Sequence, residues 1–529
     1  MTLDEVRIAL ARAAGSAGGA GDVDICETHI SWVFLVGDHA YKVKKPIVLP
    51  FVDYGTLARR REMCRDEVRL NRDLAPGIYV GVRALAPSPQ GLEVVDEDSP
   101  DAVEYLVEMR RYDEGATLAA RLASGELTGR EITAIARVVA QFHGRARRVA
   151  VPGVPTLGIE RRMTVDVHEV LSMADRSTDV ERLLALERFA HAFVVAHAEM
   201  LDARVQGGCV REGHGDLRAE HVLLDGETVR IVDCVEFDRG LREVDVADDL
   251  AFLVMDLEAH DGGRFARRLV RAYRDAGGDP GDDRLIAFYA AHRALVRAKI
   301  ALVRAAQHPS SSAAHGRQSA MARDLLALAE RFTWRARLPL AIVVCGLPAS
   351  GKSHLAHALA EASGLAHLSS DVTRKRLAGV PPGERAPSAA YSAEFSGRTY
   401  AELGRRAARQ VGARGGSLID ATFRHAGDRE AFVTAFAGAA PLLFVECRAP
   451  AAVLAERAAH RERDPTRVSD ATLSVVRRES TSWEPLDEVA PDAHLILRTD
   501  RPVQALVADL QGLLDHRIGA LSAERTEPS

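Results

Sequence analysis

Residues 346–353 read Gly-Leu-Pro-Ala-Ser-Gly-Lys-Ser, a glycine loop closed by a lysine and a serine, and the flanks restrict how the chain can fold around it. Before it runs the short apolar stretch 338–345, partly β-branched, of the kind that forms a buried parallel strand. After it, residues 354–363 carry a strong helical pattern that stops at Gly364. Strand, loop and helix in that order make a phosphate cradle, because backbone N–H groups turn inward and the helix N-terminus adds partial positive charge. Gly346, Ser350 and Gly351 shape the loop, Lys352 reaches the outer phosphates, and the Ser353 hydroxyl is placed to bind Mg2+. The alternative is a plain strand-to-helix turn.

At 529 residues the chain is too long for one core. Residues 1–22 begin with a short amphipathic stretch and are expected to be mobile. Residues 23–308 start β-rich and become helical. Residues 309–337 form a linker and connecting helix, 338–518 alternate strands and helices, and 519–529 are expected to be a disordered tail. A net charge of −6 argues against a surface that coats nucleic acid, though a local basic groove is still open. No apolar run approaches the length of a membrane span. The six cysteines form no CxxC pair, which points to free thiols in a reducing cytoplasm. Of 69 basic residues only six are lysines, and three of those lie within positions 42–45. Where arginine supplies generic charge, such a cluster marks a place where a compact point charge is wanted.

In the C-terminal segment, alternating strands and helices after a glycine loop imply a parallel sheet with helices on both faces. Ligands of such sheets bind at the carboxyl ends of strands. Two later strands end there in an aspartate: Asp371 in Ser-Ser-Asp-Val-Thr-Arg-Lys-Arg, and Asp420 in Ile-Asp-Ala-Thr-Phe-Arg. Asp371 is a candidate general base for an acceptor hydroxyl, with Arg374 one turn on to hold the acceptor or the transferred phosphoryl. Asp420 is placed to hold the water shell of Mg2+. Each aspartate has a helix N-cap as its alternative. Arg457, Arg461 and Arg463 lie on a helix end before Pro465, as on a lid that closes over phosphate, or else on a solvated helix. Taken in order, these motifs resemble the P-loop small-molecule and polynucleotide kinases, near zeta toxins and gluconate kinase. The resemblance implies that Lys352 and Ser353 serve ATP and Mg2+ and that Asp371 activates the acceptor.

The N-terminal segment carries Gly213-His-Gly-Asp216-Leu-Arg-Ala-Glu-His221, followed by Asp233 at the end of an expected return strand. Such a hairpin brings two carboxylates to one cleft, one to accept a hydroxyl proton and one to grip Mg2+. Upstream, residues 32–44 read as a hairpin turning at Gly37-Asp38, with Lys42 and Lys44 on one side by period two. A helix from about 59 to 74 then carries Glu67. These motifs resemble the aminoglycoside and choline phosphotransferases of the bilobed protein-kinase-like fold. The resemblance implies that Asp216 is the base, Asp233 the Mg2+ ligand, and Lys42 the ATP lysine with Glu67 its partner. Met109 would end the strand against the adenine, and Lys44 remains the alternative ATP lysine. At the second metal position the family's asparagine is His221, which prefers softer metals. Asp245, Asp248 and Asp249 read as helix caps and packing groups.

The fold expected is therefore an α+β bilobed protein-kinase-like domain followed by an α/β P-loop NTPase domain with a parallel sheet and helices on both faces. The function expected is an ATP-dependent phosphotransferase with two modules acting on a hydroxyl of a small molecule. The alternatives are a regulatory protein, whose first domain senses a ligand and gates a C-terminal ATPase, and a polynucleotide 5′-hydroxyl kinase using Arg374, Lys375 and Arg376. The partner expected is a small-molecule phosphoryl acceptor. Neither a membrane nor a particular oligomeric state is implied.

Overall fold

Alternating apolar and polar residues along 23–110 resolve into a six-stranded antiparallel sheet in the computed structural model of the chain. The described residues are 2–15, 23–49, 52–150, 155–174, 177–226, 228–381, 384–462 and 481–523. The strands are β1 Val23–Glu27, β2 Ser31–Val36, β3 His39–Lys44, β4 Tyr79–Ser88, β5 Gly91–Asp96 and β6 Glu104–Arg110, in the spatial order β1-β2-β3-β6-β4-β5. The hairpin β2–β3 turns at Gly37, whose φ is +53°. Side chains alternate faces along a strand, so Tyr41 and Val43 of β3 enter one core and Ala40 the other. Helix α1 (Leu3–Ala13), closed by a Thr2–Glu5 capping box, packs Val6, Ala9 and Leu10 against Phe34, Tyr41 and Leu106. This corrects the expectation of a mobile 1–22 segment for residues 3–13, because the apolar stripe of the helix is buried on the sheet. Residues 16–22 lie outside the described ones. Helix α2 (Leu57–Asn71), N-capped by Thr56, buries Cys64, Glu67 and Val68 on the other face.

The hairpin expected after Asp216 is present as β7 (Val222–Asp225) and β8 (Thr228–Ile231). The return strand stops at Ile231 rather than at Asp233, which stands beyond it with φ +64°.

The C-terminal strands are β9 Leu340–Cys345, β10 His367–Ser369, β11 Gly416–Asp420, β12 Leu442–Arg448 and β13 His494–Arg498. They form a parallel sheet ordered β10-β11-β9-β12-β13, with the strand that feeds the glycine loop at its centre. The helices are α3 Lys352–Ser363, α4 Ser370–Leu377, α5 Ala393–Arg414, α6 Ala426–Phe436, α7 Ala451–Glu462 and α8 Val503–Ala523. One face of the sheet packs Ile342, Val344 and Val445 against Leu355 and Leu359 of α3 and Leu510 and Leu514 of α8. The other packs Val343, Ile419 and Phe444 against Tyr400 of α5 and Phe432 of α6. Helix α8 continues to Ala523, so residues 519–523 are helical and not the disordered tail expected; 524–529 lie outside the described residues.

By contacts the chain divides into one unit of residues 1–155 and 199–293 and another of 156–198 and 294–529. The helix Ser177–Ala196 thus groups with the parallel-sheet unit. There Arg182 donates to Glu330 at 3.1 Å, and the Arg337 guanidinium sits 4.6 Å from the Phe189 ring while pairing with Asp515. Residues 156–198 and 294–308 lie on the first domain's side of the sequence boundary at 308, yet they cluster with the second unit.

Candidate active sites

In the first unit, period two on β3 turns both Lys42 and Lys44 toward α2, and Glu67 meets them. Its Oε1 accepts from Lys42 Nζ at 2.8 Å and its Oε2 from Lys44 Nζ at 2.7 Å. Lys42 also donates to Asp233 Oδ1 at 2.7 Å, so the strand lysine and the carboxylate after β8, 191 residues apart, meet in one cleft. Lys44 runs the other way, onto Glu236, which also accepts from the Tyr54 hydroxyl at 2.6 Å. Burial opposes ionisation of Asp233, yet Lys42 and His221 hold its carboxyl well below its usual range. Burial likewise opposes ionisation of Glu67, which Lys42 and Lys44 hold down. Met109 joins Ala40, Tyr79, Val107, Leu223 and Val232 in a single apolar cluster spanning sheet and hairpin.

The loop carrying Asp216 is fixed from behind. Asp249, on the helix Val246–Ala259, accepts from the backbone N–H groups of His214 (2.7 Å) and Gly215 (2.9 Å) and faces His143 Nε2 at 3.0 Å. Asp245 caps that helix through Ala247 and forms a two-pronged pair with Arg204, while Asp248 does the same with Arg293. All three aspartates are therefore structural. Arg218 donates to both oxygens of Asp216, at 2.7 and 2.9 Å, a fork that sequence reasoning missed although it lies two residues downstream. Against burial, that guanidinium keeps the Asp216 carboxyl below its usual range.

His221 hydrogen-bonds through Nδ1 with the Asp216 carbonyl at 2.8 Å, and its Nε2 faces Arg218 Nη2 at 3.2 Å, a contact a metal ion there would replace. His221 Nε2 lies 3.7 Å from Asp233 Oδ2. Asp233 and His221 would be the residues to hold a divalent ion at this end of the cleft. Among the described residues no three His, Cys, Asp or Glu side chains make a self-sufficient metal site. Two protein ligands suit Mg2+, which keeps waters and takes its other ligands from phosphates.

In the second unit Gly346, Ala349 and Gly351 have φ of +139°, +65° and +91°, turning the loop back on itself. Lys352 Nζ reaches over it to the Leu347 carbonyl at 3.4 Å. Asp420 is the last residue of β11, and helix α6 is capped instead by His425; Asp371 lies inside the first turn of α4, which Ser369 caps. Neither aspartate is an N-cap. Ser369 pairs with Asp420 in register, so both stand at the carboxyl edge beside the loop. The buried Asp420 carboxyl is held below its usual range, against burial, by the neighbouring His367, Lys352 and Ser353. Its Oδ1 and the Ser350 hydroxyl are buried without hydrogen-bond partners among the described residues. Orphaned oxygens beside Ser353 fit a hydrated Mg2+.

Arg374 is not open to solvent. Its Nη1 donates to the Ala390 carbonyl (2.6 Å) and Ser396 Oγ (3.1 Å), and its guanidinium sits over the Tyr391 ring, tying α4 to the segment that precedes α5 and to the first turn of α5. Arg374 and Lys375 are both buried, and Arg376 is exposed but pairs with Glu402, so of the three basic residues that a polynucleotide reading would use only Arg376 faces solvent. Arg457, expected on a lid, is seated against the loop instead. Its Nη2 donates to the Thr499 carbonyl at 2.6 Å, and the Thr499 hydroxyl donates to the Ser350 carbonyl at 2.5 Å. Arg457 Nη1 is buried without a partner among the described residues and lies 3.2 Å from where a Gly351 Cβ would be. Thr499 had no sequence signal. The Arg461 side chain and all of Arg463 lie outside the described residues.

All six cysteines are free thiols, four of them buried. Among the described residues no helix is long and apolar enough to cross a membrane.

Residues 56–288 match the phosphotransferase enzyme family, and residues 342–486 match the AAA domain family. Uncharacterized proteins of Mycobacterium tuberculosis and Mycobacterium bovis are each 34% identical over 410 residues, covering 76% of this chain and 78% of the relative. A gluconokinase from Sinorhizobium meliloti is 21% identical over 36% of this chain and 99% of its own, with a TM-score of 0.27. A choline/ethanolamine kinase family protein from Mesorhizobium loti is 17% identical over 62% of this chain and 99% of its own, with a TM-score of 0.37. Likenesses that low carry no argument about function.

Proposed function

The chain belongs to the same family as the two mycobacterial proteins, with a kinase-like phosphotransferase domain followed by a P-loop kinase domain, and from that premise we infer that it is a phosphotransferase with two ATP-dependent sites. The observation that carries this reading is the chain of contacts Glu67–Lys42–Asp233, with His221 and Asp216 at its open end. In the first site Lys42 orients the outer phosphates and Glu67 fixes Lys42. Asp216 accepts the proton of an acceptor hydroxyl as its oxygen attacks the γ-phosphorus, the bond to the bridging oxygen breaks, and ADP leaves. Asp233 and His221 would hold Mg2+ there, and Ser353 and Asp420 would hold it in the second site. When bound, it neutralises charge on the transferred phosphoryl group. In the second site the loop N–H groups and Lys352 take the phosphates, Arg457 adds charge beside Gly351, and Asp371 is the base. Arg374 acts by positioning the segment 388–396. The acceptor is a small molecule with a free hydroxyl, and the protein works in the cytoplasm.

A second reading rests on the Arg218 fork. A base with both oxygens engaged suits a first unit that binds ligand without turnover and gates the second. Lys352→Ala and Asp216→Ala variants, each assayed with γ-labelled ATP against a lysate of small metabolites, separate the two. Two active sites predict that each variant loses a different labelled product. If Asp216→Ala leaves every product and all ATP turnover intact, the first site is not a kinase.

A further inference from the structure

Three carboxylates and two ammonium groups form one cluster in the first unit, and only one end of it reaches the cleft. Lys44 and Glu67 are fully buried, whereas the Asp233 side chain is 48% exposed. The cluster carries one excess negative charge, which a divalent ion at the Asp233 end would offset. Burial disfavours the charged Lys44, but Glu236 and Glu67 keep its pKa well above the ordinary lysine range.

When a nucleotide and its metal ion take over Lys42 and Asp233, the Lys42–Asp233 contact gives way. Were Lys42 the sole partner of Glu67, each excursion of Lys42 toward phosphate would leave a buried carboxylate unpaired, which strongly favours its moving out to water. Lys44 removes that pressure, because it stays on Glu67 Oε2 while Lys42 occupies Oε1. Glu236, three residues beyond Asp233, anchors Lys44, and Tyr54 completes the hydrogen bonding of Glu236. The cluster therefore ties β3, α2 and the segment after Asp233 to one buried point.

We propose that Lys44 is a positioning residue that keeps Glu67 and helix α2 in the nucleotide-competent place whether or not nucleotide is present, while Lys42 alone contacts the phosphates. The proposal rests on the reading of this cleft as an ATP site. Its test uses the full chain with Lys352→Ala throughout, so that ATP·Mg2+ affinity reports the first unit, together with hydrogen exchange of residues 57–71. Lys44→Met alone leaves Glu236 buried and unpaired and risks misfolding, so the informative variant is Lys44→Met with Glu236→Gln. It is expected to fold, to exchange α2 amides about tenfold faster without nucleotide, and to bind ATP·Mg2+ about tenfold more weakly. Saturating ATP·Mg2+ should return the exchange to the parent rate, which a general packing defect would not allow. Lys42→Ala should abolish binding while leaving α2 exchange without nucleotide unchanged. Unchanged α2 exchange in the double variant, with a parent that binds ATP, overturns the proposal alone. A parent that binds no ATP in the first unit overturns the reading of the cleft, and the proposal with it.

Discussion

Replacing Gly346 by alanine tests whether the loop can exist without its first glycine. The added Cβ would lie 2.5 Å from the backbone carbonyl oxygen of Cys447 and 3.0 Å from Ser350 Oγ. Gly346 also has φ +139°, a conformation L-residues avoid. The backbone contribution is about 1–3 kcal/mol, and forcing a methyl into a packed site adds about 1–3 kcal/mol. The serine hydroxyl can rotate away, but Cys447 is in β12 beside β9, so its carbonyl cannot yield without disturbing the sheet. A total of about 4 kcal/mol lowers the melting temperature of a unit this size by about 8–16 °C. If the loop yields instead, its N–H groups lose their arrangement and ATP affinity falls. Calorimetry and ATP titration of the full chain, with Lys42→Ala to silence nucleotide binding in the first site, read both outcomes. Gly364→Ala is the control. It too has a positive φ, +68°, but its Cβ meets only Arg331 Cδ at 3.7 Å, so a loss of about 1–2 kcal/mol with unchanged ATP affinity is expected. A Gly346→Ala protein within about 2 °C and twofold of the parent in both measurements would refute the steric argument.

In the same Lys42→Ala background, Arg457→Leu should weaken ATP binding about tenfold to a hundredfold, as loss of a charged hydrogen bond does, with little change in melting temperature. Asp249→Asn places an amide donor against backbone donors of the Asp216 loop, and calorimetry should show a loss of about 3 kcal/mol in the first unit. Stability of that unit should also depend on pH at both ends. Burial holds the His214 ring below the usual imidazole range, so its contribution is complete above about pH 6.5 and fades as pH falls below that value. The carboxyls of Glu67, Asp216 and Asp249 are lowered by their ionic and hydrogen-bond partners, and their contribution is lost as pH falls below about 4. Lys42 and Lys44 are raised by their carboxylates, so their contribution is complete below about pH 10 and lost above it. Thermal unfolding between pH 3 and 11 that stays flat at both ends would contradict these assignments.

Both candidate sites were legible because each is announced by a short motif whose local geometry is nearly obligatory. Strand, glycine loop and helix follow one another within 24 residues, 340–363, and strand periodicity alone puts Lys42 and Lys44 on one face. The position of Asp420 at a strand end followed from the same alternation, whereas Asp371, expected at one, falls in the first turn of α4, two residues past the end of β10. Sequence patterns could not tell Lys42 from Lys44, since both face α2 and both reach Glu67. Only the approach of Asp233 and Glu236, from about 190 residues away, separates a lysine at the cleft from one in the core. The same holds for Arg457, whose helix reads as solvated or lid-like until Thr499 and Gly351 are brought against it.

From its sequence alone, then, this protein is determined to carry two phosphate-handling motifs on two kinds of sheet, because backbone geometry and side-chain period act over a few residues. What only the tertiary structure decided is which charges are spent on one another: Arg218 on Asp216, Lys44 on Glu67 and Glu236, Arg374 on the segment before α5. A buried charge must find a partner wherever the fold brings one, and burial is a property of the packed chain that no local pattern encodes.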